Sequence, residues 1–147
     1  MTDRVRDAMV ADPRRLPASA TAQQAGGLLQ RPEVRAVYVT EGDRLVGVVT
    51  RKTLVREVVA PGRDPQLTKL GSIAERPHYT IDADVPLEDA FRFLEEQDAE
   101  RVPVVDREAN LVGVLSRGVL QRRLAEDEEP GEEGAGDEFD EPLPPAA

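Results

Sequence analysis

Two stretches of the chain carry the same pattern of apolar residues. The first consists of Ala22, Ala25, Gly26 and Leu29, and the second, 65 positions later, of Leu87, Ala90, Phe91 and Leu94. Both have the i, i+3, i+4, i+7 spacing of a helix that buries one face against a core. The pattern therefore predicts one amphipathic helix in each half of the chain.

Apolar runs after these helices repeat at matching distances. Residues 37–39 (VYV) align with 102–104 (VPV), and residues 45–51 (LVGVVTR) align with 111–117 (LVGVLSR) after one extra residue in the second turn. We predict strands over 15–18, 36–40 and up to Thr50 in the first half, and over 79–82, 101–106 and up to Ser116 in the second. A further helix begins after each last strand. The sequence thus predicts an α+β fold made of two pseudo-symmetric βαββα repeats.

The repeats divide the chain into four parts. Residues 1–60 form the first repeat, 61–69 (PGRDPQLTK) a linker, 70–125 the second repeat and 126–147 an acidic tail. The tail is rich in Glu, Asp, Gly and Pro, and its only large apolar residues are Phe139 and Leu143, so we expect it to be disordered. It either keeps the protein in solution or docks through those two residues, on this chain or on a partner.

The net charge of −10 arises entirely in the tail. Residues 126–147 hold ten acidic residues and no Lys or Arg, which leaves 19 acidic (29 − 10) against 19 basic residues in 1–125. A balanced body offers no concentrated basic face, so we expect no nucleic-acid partner. The chain has no Cys, which excludes disulfides and thiolate metal sites. The longest apolar run has five residues and the N-terminus lacks the apolar core of a signal peptide, so we expect a cytoplasmic protein without a membrane span.

Thr50 and Ser116 occupy equivalent places, where an apolar strand ends and a helix begins. A hydroxyl at such a position serves as an N-cap by accepting a hydrogen bond from an exposed amide. The same free amides and the positive end of the helix dipole can instead receive a phosphate or ribose oxygen, and Arg51 and Arg117 follow directly. The sequence alone leaves both roles open.

Residues 5–125 resemble a tandem pair of CBS domains, the cystathionine-β-synthase-type module also called a Bateman module. The segments that carry the resemblance are LVGVVTRKTL (45–54), LVGVLSRGVL (111–120), RVPVVD (101–106) and VPLEDAFRFL (85–94). The resemblance implies one disc-like module with two clefts, each beside a strand–helix junction. It also implies a homodimer, and AMP, ADP, ATP or S-adenosylmethionine as a regulatory ligand.

The chain departs from the family's nucleotide motif, G-x-x-T/S-x-x-D, in which the Asp holds the ribose hydroxyls. The first copy reads Gly47, Thr50 and Thr53, and the second reads Gly113, Ser116 and Val119. Both lack the Asp, and losing such a charged acceptor costs about 1.5–3 kcal/mol, or about one to two decades of affinity. Because Thr53 keeps a hydroxyl and Val119 does not, we rank the cleft at Thr50 first.

We expect the lining of the Thr50 cleft to include Arg15, Leu16, Pro17 and Ala18 from the first strand. Tyr38 replaces the proline present at position 103 and is expected to crowd this cleft. The predicted ligand-binding residues are then Pro17, Ala18, Thr50, Arg51, Thr53, Ser116 and Arg117.

The leading hypothesis is a regulatory module that binds an adenine nucleotide or S-adenosylmethionine and signals to an unidentified partner protein. The alternative is a ligand-free, dimerising scaffold with degenerate nucleotide sites. We expect no enzyme activity and no required cofactor or metal. His78 is the only histidine, and the chain contains no phosphate-binding loop, dinucleotide glycine pattern or nucleophile elbow.

Overall fold

The structure, a computed structural model, describes residues 3–11 and 13–128, with side chains through residue 125. The first half contains α1 (Val5–Ala8), β1 (Val10–Ala11), β2 (Arg15–Pro17), α2 (Ala22–Leu29), β3 (Val37–Glu41), β4 (Arg44–Val49), α3 (Arg51–Leu54) and a π-helical turn (Val55–Val59). The second half contains a 3-10 turn (Leu70–Ser72), β5 (Ile81–Asp82), α4 (Leu87–Gln97), β6 (Arg101–Val105), β7 (Leu111–Ser116) and α5 (Arg117–Glu128). The predicted α+β fold with two βαββα repeats is confirmed.

The predicted tail begins inside the last helix. Residues 126–128 belong to α5, which runs to Glu128. These residues continue a helix that starts in the second repeat, so the change in composition at residue 126 does not coincide with the end of that helix. The rest of the predicted disordered tail, residues 129–147, lies outside the described residues.

Each repeat builds its own sheet, which contains a parallel strand pair and an antiparallel hairpin. In the first repeat β2 lies parallel to β3, which pairs antiparallel with β4; in the second, β5 lies parallel to β6, which pairs antiparallel with β7. The register of both hairpins shifts at the same place, between Val39 and Thr40 and between Val104 and Val105. The two repeats therefore share topology in detail.

The N-terminal segment of each repeat packs on the other repeat. β1 pairs antiparallel with β7, with Val10 opposite Val114. At the equivalent place in the first sheet, Glu75 and Val48 exchange two backbone hydrogen bonds of 2.8 and 2.9 Å. Val5 of α1 belongs to the second core, while Leu70 and Ile73 belong to the first. Neither apolar core is complete without a segment from the other half.

The predicted helix faces form the centres of these two cores. Ala25 of α2 and Ala90 of α4 are both fully buried, and so are Val37 and Val102 of the strands beneath them. Gly26 and Gly27 lie in α2, where a β-carbon at Gly26 would meet only the Leu54 side chain, at 3.8 Å, and one at Gly27 would meet nothing within 4 Å. Neither glycine is therefore a point of close backbone approach.

The two hairpins join the repeats. The Leu45 amide donates to the Ala109 carbonyl (3.1 Å), and the Leu111 amide donates to the Asp43 carbonyl (2.9 Å). Arg15 adds a bond from its guanidinium to the Leu111 carbonyl (3.3 Å). Backbone bonds of this kind fix the sheets side by side, which places the loops of one repeat next to the strand–helix junction of the other.

Candidate functional site

Thr50 and Thr53 form a closed capping box at the start of α3. The Thr50 amide donates to the Thr53 hydroxyl oxygen (3.0 Å), and the Thr53 amide donates to the Thr50 hydroxyl oxygen (3.3 Å). The two hydroxyls lie 3.1 Å apart, and Thr53 is only 1% exposed. The capping role is confirmed at this junction, and the Thr53 hydroxyl faces the cap rather than a ligand.

Ser116 caps α5 more openly. Its hydroxyl accepts a 3.2 Å hydrogen bond from the Val119 amide, so the capping role is confirmed here as well. Both Ser116 and Val119 are partly exposed and line a cleft between the repeats. In contrast to Thr50, the cap at Ser116 leaves its surroundings open to solvent.

The two arginines that follow the caps are engaged in structural contacts. Arg51 donates to the Arg31 carbonyl at 2.7 Å, just beyond the end of α2. Arg117 pairs with Glu100 (2.8 Å) and Asp98 (3.4 Å) beyond the end of α4, and these hydrogen bonds raise the pKa of its guanidinium. Each arginine thus fastens the last helix of a repeat to the loop after its first helix.

Pro17 and Ala18 do not lie with Thr50. Pro17 pairs with Thr40 near the end of β3, whereas Thr50 follows Val49, which pairs with Val37 at the start of β3. The parallel pairing of β2 with β3 therefore places these residues at opposite ends of the sheet. Leu16 packs on the first core, and Arg15 contacts the hairpin of the second repeat.

The cleft beside Ser116 has a volume of about 370 Å³ and is built from both repeats. Its apolar wall includes Val34, Tyr38, Val114 and Val119. Tyr38 therefore lies in this cleft and not at the Thr50 junction, where we expected it to crowd a ligand. Burial raises the pKa of its phenol, and nearby Arg101 acts in the opposite direction.

We call this cleft the Ser116 cleft. Its rim is strongly basic. Three exposed arginines, Arg14, Arg35 and Arg101, line it, and Glu33 is the one carboxylate among the described residues that line it. Within the described part of the chain, none of the three arginines forms an ion pair. The cleft therefore combines an apolar wall, a helix N-terminus and three cationic groups.

The two repeats are similar in fold, but the positive charge of the Ser116 cleft is not repeated at the Thr50 junction. The positions 65 residues from Arg14, Arg35 and Arg101 are Tyr79, Glu100 and Ala36, so the Thr50 junction has no equivalent of the basic rim. Sequence reasoning missed these arginines because it looked for matches between the repeats. The charge reversal from Arg35 to Glu100 in the same alignment was the available signal.

Both repeats match one known domain. The sequence profile of the CBS domain fits residues 5–60 and again residues 70–126. The chain belongs to the CBS-domain family. The boundaries of the two CBS matches follow the sequence repeats, while the apolar cores combine segments from both of them.

Similar CBS proteins include both curated sequences and solved structures. CBS domain-containing protein YhcV of Bacillus subtilis is 29% identical over 116 residues, which cover 79% of this chain and 81% of YhcV. Hypoxic response protein 1 of Mycobacterium tuberculosis is 33% identical over 86 residues, which cover 58% of this chain and 59% of the relative. The chain spans about half the length of the first curated relatives it matches, 44% and 59%. Neither name denotes an enzyme.

The fold resembles two CBS structures with bound groups. Hypoxic Response Protein I with two coordinated zinc ions has a TM-score of 0.69 and 26% identity, covering 82% of this chain and 98% of that one. CBSX2 in complex with AMP has a TM-score of 0.68 and 25% identity, covering 86% and 98%. In the described residues of this CBS pair, no group of three or more His, Asp or Glu residues is placed to hold a metal ion. Nor does any helix among them have the length and apolarity needed to cross a bilayer.

Proposed function

We propose that this CBS pair is a regulatory module that binds an adenine nucleotide in the Ser116 cleft and transmits its occupancy to a partner protein. The observation that carries the proposal is the set of three arginines around a partly apolar cleft of about 370 Å³, none of which forms an ion pair with a described residue. Guanidinium groups are the preferred protein ligands of phosphate, because each offers several fixed N–H donors. The complex of CBSX2 with AMP supports the same ligand class.

The charge of the cleft separates the two ligand types that the family resemblance implies. Adenine nucleotides carry one to several negative phosphate charges, whereas S-adenosylmethionine carries a net positive charge at neutral pH. Three arginines against Glu33 favour the nucleotide. We therefore propose that the ligand binds at Ser116, although the motif residues ranked the cleft at Thr50 first.

The apolar wall and Glu33 suggest how the rest of a nucleotide is held. The exposed Val10 and the partly exposed Val114 offer a surface for the base beside Tyr38, and the Ser116 end of the cleft receives the phosphates near the α5 amides. The Val119 side chain cannot accept a hydrogen bond from a ribose hydroxyl. Among the described residues that line the cleft, Glu33 is the one carboxylate, and it can accept a hydrogen bond from the ribose.

Signalling follows from the composition of the cleft. Arg14 and Arg35 come from the first repeat, while Arg101 and Ser116 come from the second. A ligand that contacts both repeats favours the relative arrangement in which those contacts are best, and a partner that binds this arrangement reads the occupancy. A regulatory rather than a catalytic role is what this mechanism requires.

The experiment is calorimetric titration of the full chain with AMP, ADP and ATP, with GTP and S-adenosylmethionine for comparison. The variant Arg14→Gln/Arg101→Gln should weaken adenine-nucleotide binding by about tenfold or more, since each charge-assisted contact contributes about 1.5–3 kcal/mol. The matched control Arg44→Gln/Arg107→Gln removes two exposed arginines outside the cleft and should bind normally. Equal loss in both variants, or no binding by the native chain at millimolar nucleotide, would refute the proposal.

A ligand-free dimerising scaffold is the second candidate, and a groove on the first repeat favours it. This groove, of about 520 Å³, lies between α2 and the π-helical turn and is lined by Gly26, Leu54 and Val58. Val55 and Val59 are 57% and 69% exposed at the same turn, which is unusual for large apolar residues. We propose that a homodimer covers this face. Light scattering should give twice the 16.1 kDa chain mass for the native protein and the monomer mass for Val59→Arg.

A further inference from the structure

Residues 137–141 of the tail, with the sequence Asp-Glu-Phe-Asp-Glu, place one aromatic ring between two pairs of carboxylates. They lie outside the described residues, and their chemistry is that of a flat apolar ring with anionic groups attached. A nucleotide has the same two components. We propose that this segment, which we call the DEFDE segment, binds in the Ser116 cleft of its own chain and competes with the regulatory ligand. The competition, though not the contact itself, rests on the function proposed above.

The cleft offers a partner for each part of the DEFDE segment. Its basic rim has Arg14, Arg35 and Arg101 against Glu33, so it attracts a segment with four carboxylates. Its apolar wall offers a phenyl ring the side chain of Val10, which is 60% exposed, beside the mostly buried Tyr38 and Val34. Residues 1–125 as a whole hold equal numbers of acidic and basic residues, so this rim is a local excess of positive charge.

The tether has a suitable length. α5 begins at Arg117, next to Ser116, and its 12 residues end about 18 Å away at 1.5 Å per residue. Residues 137–141 lie nine to thirteen residues beyond Glu128, and nine residues can span at most about 30 Å. The DEFDE segment therefore returns to the start of α5 without being stretched.

Tethering makes weak binding effective. A short flexible linker of matching length gives an effective concentration in the millimolar range. A segment with a millimolar affinity for the cleft is then bound for much of the time, and a free ligand must displace it. We expect the native tail to weaken apparent ADP affinity by about two- to tenfold, and increasing salt to reduce this factor because the contact is electrostatic.

The contact itself is tested without any nucleotide. The chain has no Cys, so Gly136→Cys gives a single site for a nitroxide spin label in the full-length protein. Paramagnetic broadening should affect the amides of Val34 and Val114 in the Ser116 cleft more than those of Ala99 and Val48 at the equivalent positions near Thr50. It should disappear in Arg14→Gln/Arg35→Gln/Arg101→Gln. Equal broadening at both places, or none, overturns the proposal whatever the nucleotide results are.

The competition is tested by ADP titration of three tail variants of the full chain. Phe139→Ala and the variant Asp137→Asn/Glu138→Gln/Asp140→Asn/Glu141→Gln should each tighten ADP binding by about two- to tenfold. The control Glu129→Gln/Glu132→Gln/Glu133→Gln removes tail charges that are too close to α5 to span its length, and should leave the affinity unchanged. Selective broadening with no ADP binding by any variant would refute the proposed function and leave the tail contact standing. Selective broadening with equal ADP affinity in all variants would refute the competition.

Discussion

Met9 lies across Gly113, so closely that a β-carbon on this glycine would stand 2.5 Å from the Met9 sulfur and 2.9 Å from the Val10 carbonyl oxygen. The equivalent pair is Gly47, 66 positions before Gly113, and Ala74, 65 positions after Met9. A β-carbon on Gly47 would stand 2.6 Å from the Ala74 β-carbon. The glycine of each G-x-x-T/S motif is therefore the point at which the segment of one half crosses the sheet of the other. Its role in this chain is to allow this close packing.

The first prediction concerns this crossing. Gly113→Ala should lower the free energy of unfolding by about 1–3 kcal/mol, because β1 must move away from β7 to make room for the methyl group. Urea denaturation followed by circular dichroism measures the loss. Gly118→Ala in α5, where a β-carbon meets nothing within 4 Å, is the matched control and should not destabilise the protein. A loss of equal size at both positions would contradict the packing explanation.

The second prediction has the opposite sign. Gly27 lies in α2 with a helical neighbour on each side and open space around its α-carbon. Gly27→Ala should therefore raise the free energy of unfolding by about 0.5–1 kcal/mol through helix propensity alone. A lower denaturation midpoint than that of the native chain would show that α2 needs this glycine for another reason.

The third prediction is a pH dependence. Arg6 of α1 donates to Asp84 at 3.0 Å, and this hydrogen bond lowers the pKa of the Asp84 carboxyl below its ordinary value of 3.8. A carboxyl with a lowered folded-state pKa contributes stability above its unfolded pKa and loses it as the pH falls through the folded value. The stability difference between the native chain and Asp84→Asn should thus be largest near neutral pH and vanish in strong acid.

The measurement is a series of urea denaturations from pH 7 downward. In Arg6→Gln the free energy of unfolding should fall as little in acid as it does in Asp84→Asn. This substitution removes the hydrogen bond that lowers the pKa of Asp84. Glu96→Gln, which removes an exposed carboxyl from α4, serves as the control and should follow the native curve. A difference between native and Asp84→Asn that persists unchanged in acid would mean that the carboxyl contributes through something other than its charge.

The fourth prediction restores a missing acceptor. Val119 lines the Ser116 cleft at the family's Asp position, and its amide already bonds the Ser116 cap. Val119→Asp should strengthen ADP binding by about 10–100-fold, through a charge-assisted bond to the ribose. An acidic residue in the first turn of α5 also suits the helix dipole, so stability should not fall. Calorimetry with 2′,3′-dideoxy-ADP is the comparison, and an equal gain for this analogue would contradict ribose contact.

Local elements could be predicted from the sequence because their signals are local. The spacing of Ala22, Ala25 and Leu29 fixes which face of α2 is buried, and the hydroxyls of Thr50 and Ser116 fix where the last helices begin. The sequence predicted no helix or strand within residues 1–14. Val5 and Met9 are too few to give a periodic pattern, and they find apolar partners only in the second core.

The candidate site was harder to predict for a related reason. Arg14, Arg35 and Arg101 are separated by up to 87 positions (101 − 14) and meet only through the packing of one repeat on the other. Arg51 and Arg117, which the motif favoured as phosphate ligands, are used instead to hold loops. A motif shows which residue types occur at a junction, but the direction of a long side chain depends on carbonyls and carboxylates supplied by distant segments.

The exchange of segments between the halves also determines when this chain can fold during synthesis. Val10 leaves the ribosome 104 residues (114 − 10) ahead of its partner Val114. At 5–20 residues per second, α1 and β1 wait for about 5–20 s before β7 exists. The first half similarly lacks Leu70 and Ile73 until the linker has been translated. A nascent chain released early therefore presents two open apolar surfaces to chaperones and proteases, and full-length synthesis is itself a condition for burying them.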